Sequence, residues 1–485
     1  MQLSQLTIGL IKGPLSHDPV IKGISADSRS IDKGYVFFAL KGQRKDGSSY
    51  IPDAIKKGAV AVILDDTAPF DTNAIPASIP LLRVGKAREA LSLMSARFYQ
   101  TQPATIAAIT GTSGKTSTMA FTQQIWHGLG YKAAGIGTIG VVQQDSNTYG
   151  GLTTPDPVAL HATLNKLHKG GVTHVAMEAS SHGLDQSRLA GVVLKAAAFT
   201  NLGRDHLDYH ATIDTYLETK LQLFSSLLPE GAPAIINADD RYADKVIAYV
   251  EAVGRQALTI GRKGRFITLL RTEQARYSQY IECRIGQKIF AATVPLAGEF
   301  QVYNILVACG IIIALGADPT KVFAQLEYLK GVSGRLEWAG ATAQGAPIYI
   351  DYAHKPEALE QVLLAIRPFT TGKIVLILGC GGDRDQGKRP LMGAIAARYA
   401  DQVIVTDDNP RTEDPAIIRA QIIQAAPNAI EIANRATAIR HAIKLLQPHD
   451  CLIIAGKGHE RGQIIGETTH PFSDHEEVVR ALGDQ

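Results

Sequence analysis

Along most of the 485-residue chain, short unbroken apolar runs alternate with longer stretches whose apolar residues recur every three or four positions. The first pattern predicts strands buried on both faces and the second predicts amphipathic helices. Their alternation therefore predicts an α/β fold with mainly parallel sheets. Strands are expected at residues 35–39 (YVFFA), 60–64 (VAVIL), 104–109 (ATIAAI), 174–178, 196–200, 347–350, 373–378, 402–406 and 451–455. Helical stretches are expected up to Tyr99, from Lys115 to about His127, and around Lys220. Breaks at Gln102-Pro103 and at Gly331-Val332-Ser333-Gly334 divide the chain into three predicted domains, residues 1–102, 103–332 and 333–485. The longest apolar run, residues 305–317, is interrupted by glycine and falls short of the roughly 20 residues that span a bilayer.

Composition narrows the classes. With 45% hydrophobic and 20% charged residues the chain is globular rather than disordered, collagen-like or disulfide-built. A net charge of +3, evenly spread, gives no footprint for nucleic acid or a membrane surface. Cys283, Cys309, Cys380 and Cys451 are far apart with no CxxC pair, which predicts reduced, structural thiols in a reducing compartment. The start, MQLSQLTIGLIKGPL, lacks the positive region of a secretory signal. A soluble, cytoplasmic protein is expected.

Candidate chemistry begins where the strand at 104–109 meets Gly111-Thr112-Ser113-Gly114-Lys115-Thr116-Ser117 and then a helix. A strand, a glycine loop and a helix N-terminus are the parts of a polyphosphate site. The glycines let backbone N–H groups turn inward, the helix dipole favours anions, and Lys115 adds a point charge. Thr116 can set its hydroxyl on Mg²⁺. The spacing, GxxGKT, is shorter than the general P-loop's, and such a loop serves kinases, motors and switches alike. Two later strands end in Glu178-Ala179-Ser180 and in Asn201-Leu202-Gly203-Arg204-Asp205-His206. Ligands of open α/β sheets gather at carboxyl ends of strands, which makes Glu178 and His206 candidates for a second metal position, though one Glu and one His form a sparse set for Mg²⁺. Three C-terminal strands likewise end in polar loops, Gly379–Arg384 (GCGGDR), 407–411 (DDNPR) and 456–460 (GKGHE).

The runs GTSGKTS, MEASSHGLDQSR, TNLGRDHLDYH, DYAHKPEAL, GCGGDRDQGKRPLMG, DDNPRTEDP and AGKGHE, in this order, resemble the Mur ligases over nearly the whole chain. The resemblance implies an N-terminal domain for the UDP end of the substrate, a central ATPase, and a C-terminal Rossmann-like domain for the amino acid. It implies that Ala26, Ser28, Gln43, Arg44 and Lys45 face the uridine nucleotide, while Thr153, Thr154, Ser180, Gln186 and Arg188 hold the muramoyl-dipeptide. Residues 111–117 would cradle ATP, with Asn304 near the adenine and Arg335 and Asp351 closing over the nucleotide. Lys115, Glu178, His206 and Lys220 would be catalytic, with Thr116, Glu178, His206 and a carbamate on Lys220 holding magnesium; the carbamate supplies the oxygens that the sparse set lacks. Ser113, where Asn is common, and Leu152, where a polar residue often precedes the threonines, depart from the pattern.

In this family the DNPR block marks members that add diaminopimelate. By the same match Arg384, Asp408, Asn409, Pro410, Arg411, Gly456 and Glu460 would read that amino acid. A guanidinium matches a carboxylate bidentately, so Arg411 would favour diaminopimelate over lysine, which lacks the distal carboxylate. The implied reaction is ATP-dependent amide formation through an acyl phosphate, by a monomer acting on small molecules with neither nucleic acid nor membrane as partner. A lysine-adding relative, another acid–amino acid ligase such as folylpolyglutamate synthase, and a non-catalytic P-loop switch are the alternatives.

Overall fold

A computed structural model describes the chain except residues 12, 43–45, 72–74, 144–146, 149–151, 206–208, 275–277 and 484–485. It divides into two compact units, the first made of Met1–Thr110, Tyr131–Ala197 and Thr219–Ala232 and the second of Gly111–Gly130, Ala198–Glu218 and Pro233–Gln485.

In the first unit, strands Gly23–Ser25, Tyr35–Phe38, Ala59–Asp65 and Leu81–Val84 form a four-stranded sheet in chain order, parallel throughout. Successive residues of one strand serve opposite cores. Val36 and Phe38 pack with Leu6, Ile63 and Met94, whereas Phe37 packs with Val62, Ile51 and Ala54. Burial on both faces is why this strand reads as an uninterrupted apolar run. A second set, Thr105–Thr110, His174–Glu178 and Ala133–Gly137, is parallel and lies in that order. Helix Pro157–Lys169 starts sharply because Asp156 accepts the Ala159 N–H and proline occupies the first turn.

In the second unit, helix Lys115–Gly128 packs on helix Glu299–Ala314. The latter is buried on nearly every side, which explains its apolar run without a membrane. Among the described residues no helix is long and apolar enough to cross one. The expectation of mainly parallel sheets meets an exception here. Strands Pro233–Asn237, Gln256–Gly261 and Ile267–Gln274 are parallel, but Gln279–Ile285 and Lys288–Val294 complete an antiparallel meander. One face of the meander is exposed, so its apolar residues alternate with polar ones.

The rest of this unit is a six-stranded sheet in the order Glu337–Ala341, Pro347–Asp351, Cys451–Ala455, Ile374–Leu378, Gln402–Val405, Ile430–Glu431. Every pair is parallel except the first. The parallel direction brings the carboxyl ends of five strands to one edge, and with them the loops that begin at Tyr352, Gly379, Thr406 and Gly456.

Candidate active site

The phosphate loop adopts the geometry its glycines permit. Gly111 and Gly114 have φ of 145° and 82°, a region that side chains rarely enter. A Cβ on Gly111 would fall on Thr200 Oγ1, and one on Gly114 on Asn304 Oδ1. The loop is held from outside its own segment: Ser113 N donates to Asn201 Oδ1 (2.9 Å), and Thr200 Oγ1 donates to Ser113 O (2.7 Å). Lys115 Nζ donates to the Gly111 and Thr112 carbonyls at 2.8 and 3.0 Å, so its charge lies over the inner side of the loop. Asn304 is buried against Gly114 and its Nδ2 donates to Gln301 Oε1 (3.0 Å).

Arg335 reaches this loop, with Nη2 donating to Thr116 Oγ1 at 3.1 Å and the guanidinium 4.8 Å from the Tyr352 ring centre. Its Nε is a buried donor without a hydrogen-bond partner among the described residues, which fits a position meant to meet an anion. Asp351 faces backbone: its carboxylate accepts from Leu336 N (2.5 Å) and Ala353 N (2.7 Å). It therefore fixes the turn that presents Arg335.

The Tyr352 ring also meets His354 edge-on (centroids 4.5 Å apart) and lies tilted against His459 (5.0 Å). Burial keeps both histidines neutral, with Lys355 and Lys388 reinforcing it at His354, and Arg335 at His459; the His459 pKa falls to about 4. Such a histidine favours the fold above its ordinary 6.5, and that contribution drains as pH falls through 6.5 toward 4. Asp351, pushed up to about 6 by burial against the pull of Arg335, acts in the opposite sense, so a substitution isolates the histidine. Between pH 7 and 5, melting curves should show His459→Gln escaping about 2 kcal/mol of the destabilisation the native chain suffers. Parallel pH slopes for the two proteins would locate the acid sensitivity elsewhere.

In the first unit Glu178 ends its strand fully buried. Its Oε1 accepts from Thr138 N (2.8 Å) and its Oε2 from Thr138 Oγ1 (3.2 Å), which lies 3.0 Å from Thr153 Oγ1. Thr154 Oγ1 donates to the Glu178 carbonyl (2.9 Å) and accepts from Ser180 N (3.0 Å). Ser180 caps the next helical turn by accepting from Gly183 N at 3.1 Å. Arg188 Nη1 donates to Thr154 O (2.7 Å) while Nε and Nη2 grip Gln186 Oε1. Thr153, Thr154, Ser180, Gln186 and Arg188 are thus one hydrogen-bonded patch around Glu178. Lys220 is buried on helix Ile213–Gln222, just before a π-helical turn at Leu223–Leu227. His206 lies outside the described residues, as do Gln43, Arg44 and Lys45.

A pocket of about 690 Å³ opens beside this patch, lined by Ala26, Arg88, Tyr99, Asp156, Gln186 and Arg188 among others. Ser28 is buried and its carbonyl accepts from Lys57 Nζ (3.0 Å). Sequence reasoning missed Arg88, Tyr99 and Thr138; for Thr138 the signal was the Gly137-Thr138-Ile139-Gly140 turn after a strand.

The C-terminal loops form a second constellation. Gly456 has φ 114°, and a Cβ there would lie 2.6 Å from Asp408 Oδ2. Asn409 Nδ2 donates to Glu460 Oε2 (2.9 Å), and Ile464 N donates to Asn409 Oδ1 (3.0 Å). Arg411 sits at φ 53°, its Nη1 donating to Gly382 O (2.8 Å). Pro410 is buried, and Arg384 is exposed. The loop carrying Gly381 and Gly382 is braced by fully buried Arg389, which holds both Glu413 oxygens at 2.9 Å and donates to Gly381 O (3.2 Å). No sequence argument singled out that brace.

Three family profiles match the chain: "Mur ligase family, catalytic domain" over residues 20–99, "Mur ligase middle domain" over 109–312, and "Mur ligase, glutamate ligase domain" over 334–458. The UDP-N-acetylmuramoyl-L-alanyl-D-glutamate–2,6-diaminopimelate ligase of Brucella melitensis is 55% identical over 462 residues, 95% of this chain and 94% of that one. A solved structure of a UDP-N-acetylmuramoyl-L-alanyl-D-glutamate–2,6-diaminopimelate ligase superposes with a TM-score of 0.71 at 32% identity, covering 100% of this chain and 99% of the other. The MurF ligase of Thermotoga maritima in complex with ADP, 18% identical, shares the fold (TM-score 0.63, covering 95% and 97%). A glycine loop pinned around an inward lysine and a carboxyl-edge cluster around the DNPR run thus occur in a chain that, matched in all three of its segments, belongs to the Mur ligase family.

Proposed function

We propose that this chain joins meso-2,6-diaminopimelate to the D-glutamate of UDP-N-acetylmuramoyl-L-alanyl-D-glutamate, with cleavage of ATP to ADP and phosphate, in peptidoglycan synthesis. The observation that carries the reading is the carboxyl-edge cluster of Asn409, Arg411 and Glu460: a guanidinium and a carboxylate held in one site suit an amino acid bearing an ammonium and a carboxylate at its far end. Relatives of this degree of identity carry the same activity in their names.

A carboxylate is a poor electrophile. Transfer of the ATP γ-phosphoryl group to the D-glutamyl oxygen gives an acyl phosphate and releases ADP. The diaminopimelate amine, having lost a proton, then attacks the carbonyl carbon, and phosphate leaves with the C–O electron pair. Lys115 and the loop amides would hold the phosphates and offset charge developing on them, with Asn304 beside the adenine and Arg335 toward the phosphates. The patch of Thr153, Thr154, Ser180, Gln186 and Arg188 would orient the dipeptide, and the Ala26 pocket would take the nucleotide end, joined by Ser28 and residues 43–45.

The hard oxygen donors Thr116 and Glu178 suit magnesium. Thr116 would hold one ion; Glu178, His206 and Lys220 as a carbamate would hold another. Magnesium, when bound, neutralises charge between phosphate and carboxylate. A cytoplasmic monomer working on small molecules completes the reading.

The test is the mass of the product formed from the UDP-linked dipeptide, ATP and meso-diaminopimelate. One added diaminopimelyl residue is expected, with phosphate released only when the dipeptide is present. Preferential incorporation of lysine, or equal phosphate release without the dipeptide, would overturn the reading.

A further inference from the structure

Lys457 is fully buried, yet ends in an amine that must find polar partners. Its Nζ donates to Asn409 Oδ1 (2.9 Å) and to Glu460 Oε2 (3.0 Å), and Asn409 Nδ2 donates to that same Glu460 oxygen. The three side chains close a ring of charge-assisted hydrogen bonds. The ring fixes the Asn409 amide, because its oxygen faces a cation and the Ile464 N–H while its nitrogen faces a carboxylate. It also spends both donors on Oε2, and Oε1 accepts no hydrogen bond among the described residues. The Glu460 side chain is 27% exposed and that of Lys457 is 0%. An incoming group can therefore meet the glutamate, while the lysine acts only from behind.

Burying a lysine is costly, and a hydrophobic replacement of an ion pair is often neutral or stabilising. A next layer is present too: Arg435 Nη2 donates to Ala455 O (2.9 Å), and Arg435 is paired with Asp474, both fully buried. The floor beneath the loop at 456–460 is thus rigidly polar, the kind of support that holds a recognition group in one geometry.

We infer that Lys457 is a positioning residue for the amino-acid substrate: it locks Glu460 and Asn409 so that the free glutamate oxygen receives the substrate's distal ammonium. This rests on the ligase reading above. Without the lysine, Glu460 would swing and would have to be reordered at each binding event, a cost borne by amino-acid affinity and not by the phosphoryl step.

The experiment measures steady-state KM and kcat for Lys457→Met, using whichever amino acid the native chain ligates fastest, so failure of the diaminopimelate assignment and failure of the positioning role are separate results. The expected outcome is a KM for the amino acid raised about 10- to 100-fold, with the KM values for ATP and UDP-dipeptide unchanged and kcat little altered. In a Glu460→Gln background the same substitution should add no more than about twofold, since the substrate senses the lysine only through the glutamate. An unchanged amino-acid KM, a uniform loss across all three substrates, or full additivity with Glu460→Gln would each overturn the proposal. Should Lys457→Met not yield folded protein, Lys457→Gln, which can still bond Asn409 but brings no charge to Glu460, should raise the amino-acid KM by a smaller factor, about 3- to 10-fold, and is subject to the same refutations.

Discussion

Lys115→Met should abolish all but a trace of ligation, lowering kcat by about 10²- to 10³-fold, the scale for loss of one preorganised electrostatic donor, while the fold is retained. Methionine keeps the length and helix propensity of lysine, so helix Lys115–Gly128 keeps its first turn. The loop's own shape does not depend on the ammonium. It is set by Gly111 and Gly114 at positive φ and by hydrogen bonds from Thr200 and to Asn201. What disappears is the charge over the Gly111 and Thr112 carbonyls, where the proposed reaction would bring two anions together. Phosphate release in the presence of both acceptor substrates is the readout, with UDP-dipeptide binding as the control for folding. A variant retaining a third of native turnover would mean that Lys115 does not face the transferred phosphoryl group.

Much of this architecture is legible from the chain because parallel strands buried on both faces leave an unmistakable trace. Ile374–Leu378 and Cys451–Ala455 are wholly apolar and stop at a glycine, so each strand's carboxyl end, and hence the edge where ligands gather, could be placed before any coordinates. The antiparallel strands Gln279–Ile285 and Lys288–Val294 left a weaker trace. With one face in solvent, their apolar positions are diluted by charge. The supporting side chains were not legible at all. Arg389 meets Glu413 across 24 positions and Lys457 meets Asn409 across 48, and a buried arginine or lysine is written with the same letter as a solvated one. Thr138 escaped for a related reason: its value lies in a backbone N–H and a hydroxyl turned on Glu178, and neither is visible until two strands are laid side by side.

Arg411→Ala should convert a selective enzyme into a permissive one. The residue holds a left-handed backbone conformation at φ 53°, tied on both sides to the neighbouring hairpin: its N–H donates to Ile464 O (3.0 Å) and its carbonyl accepts from Gly466 N (2.7 Å). Alanine can keep those backbone bonds, so the loop should survive. The guanidinium is oriented by a single strong anchor, Nη1 to Gly382 O at 2.8 Å, and the tightness of its seat shows in Gly381, where a Cβ would lie 2.7 Å from Nη1. A fork held this way can offer its remaining N–H groups to a carboxylate bidentately. Lysine as substrate would leave that fork unpaired, and truncating one partner of such a pair costs about 2–5 kcal/mol, equivalent to a preference of between roughly 30- and several thousand-fold. With diaminopimelate and L-lysine in competition and the two products resolved by mass, the native chain should make the diaminopimelyl product almost alone. Arg411→Ala should lose most of that preference chiefly by losing kcat/KM for diaminopimelate. If selectivity survives the substitution intact, the carboxylate is read by another group, with the exposed Arg384 the first to be tested in the same competition.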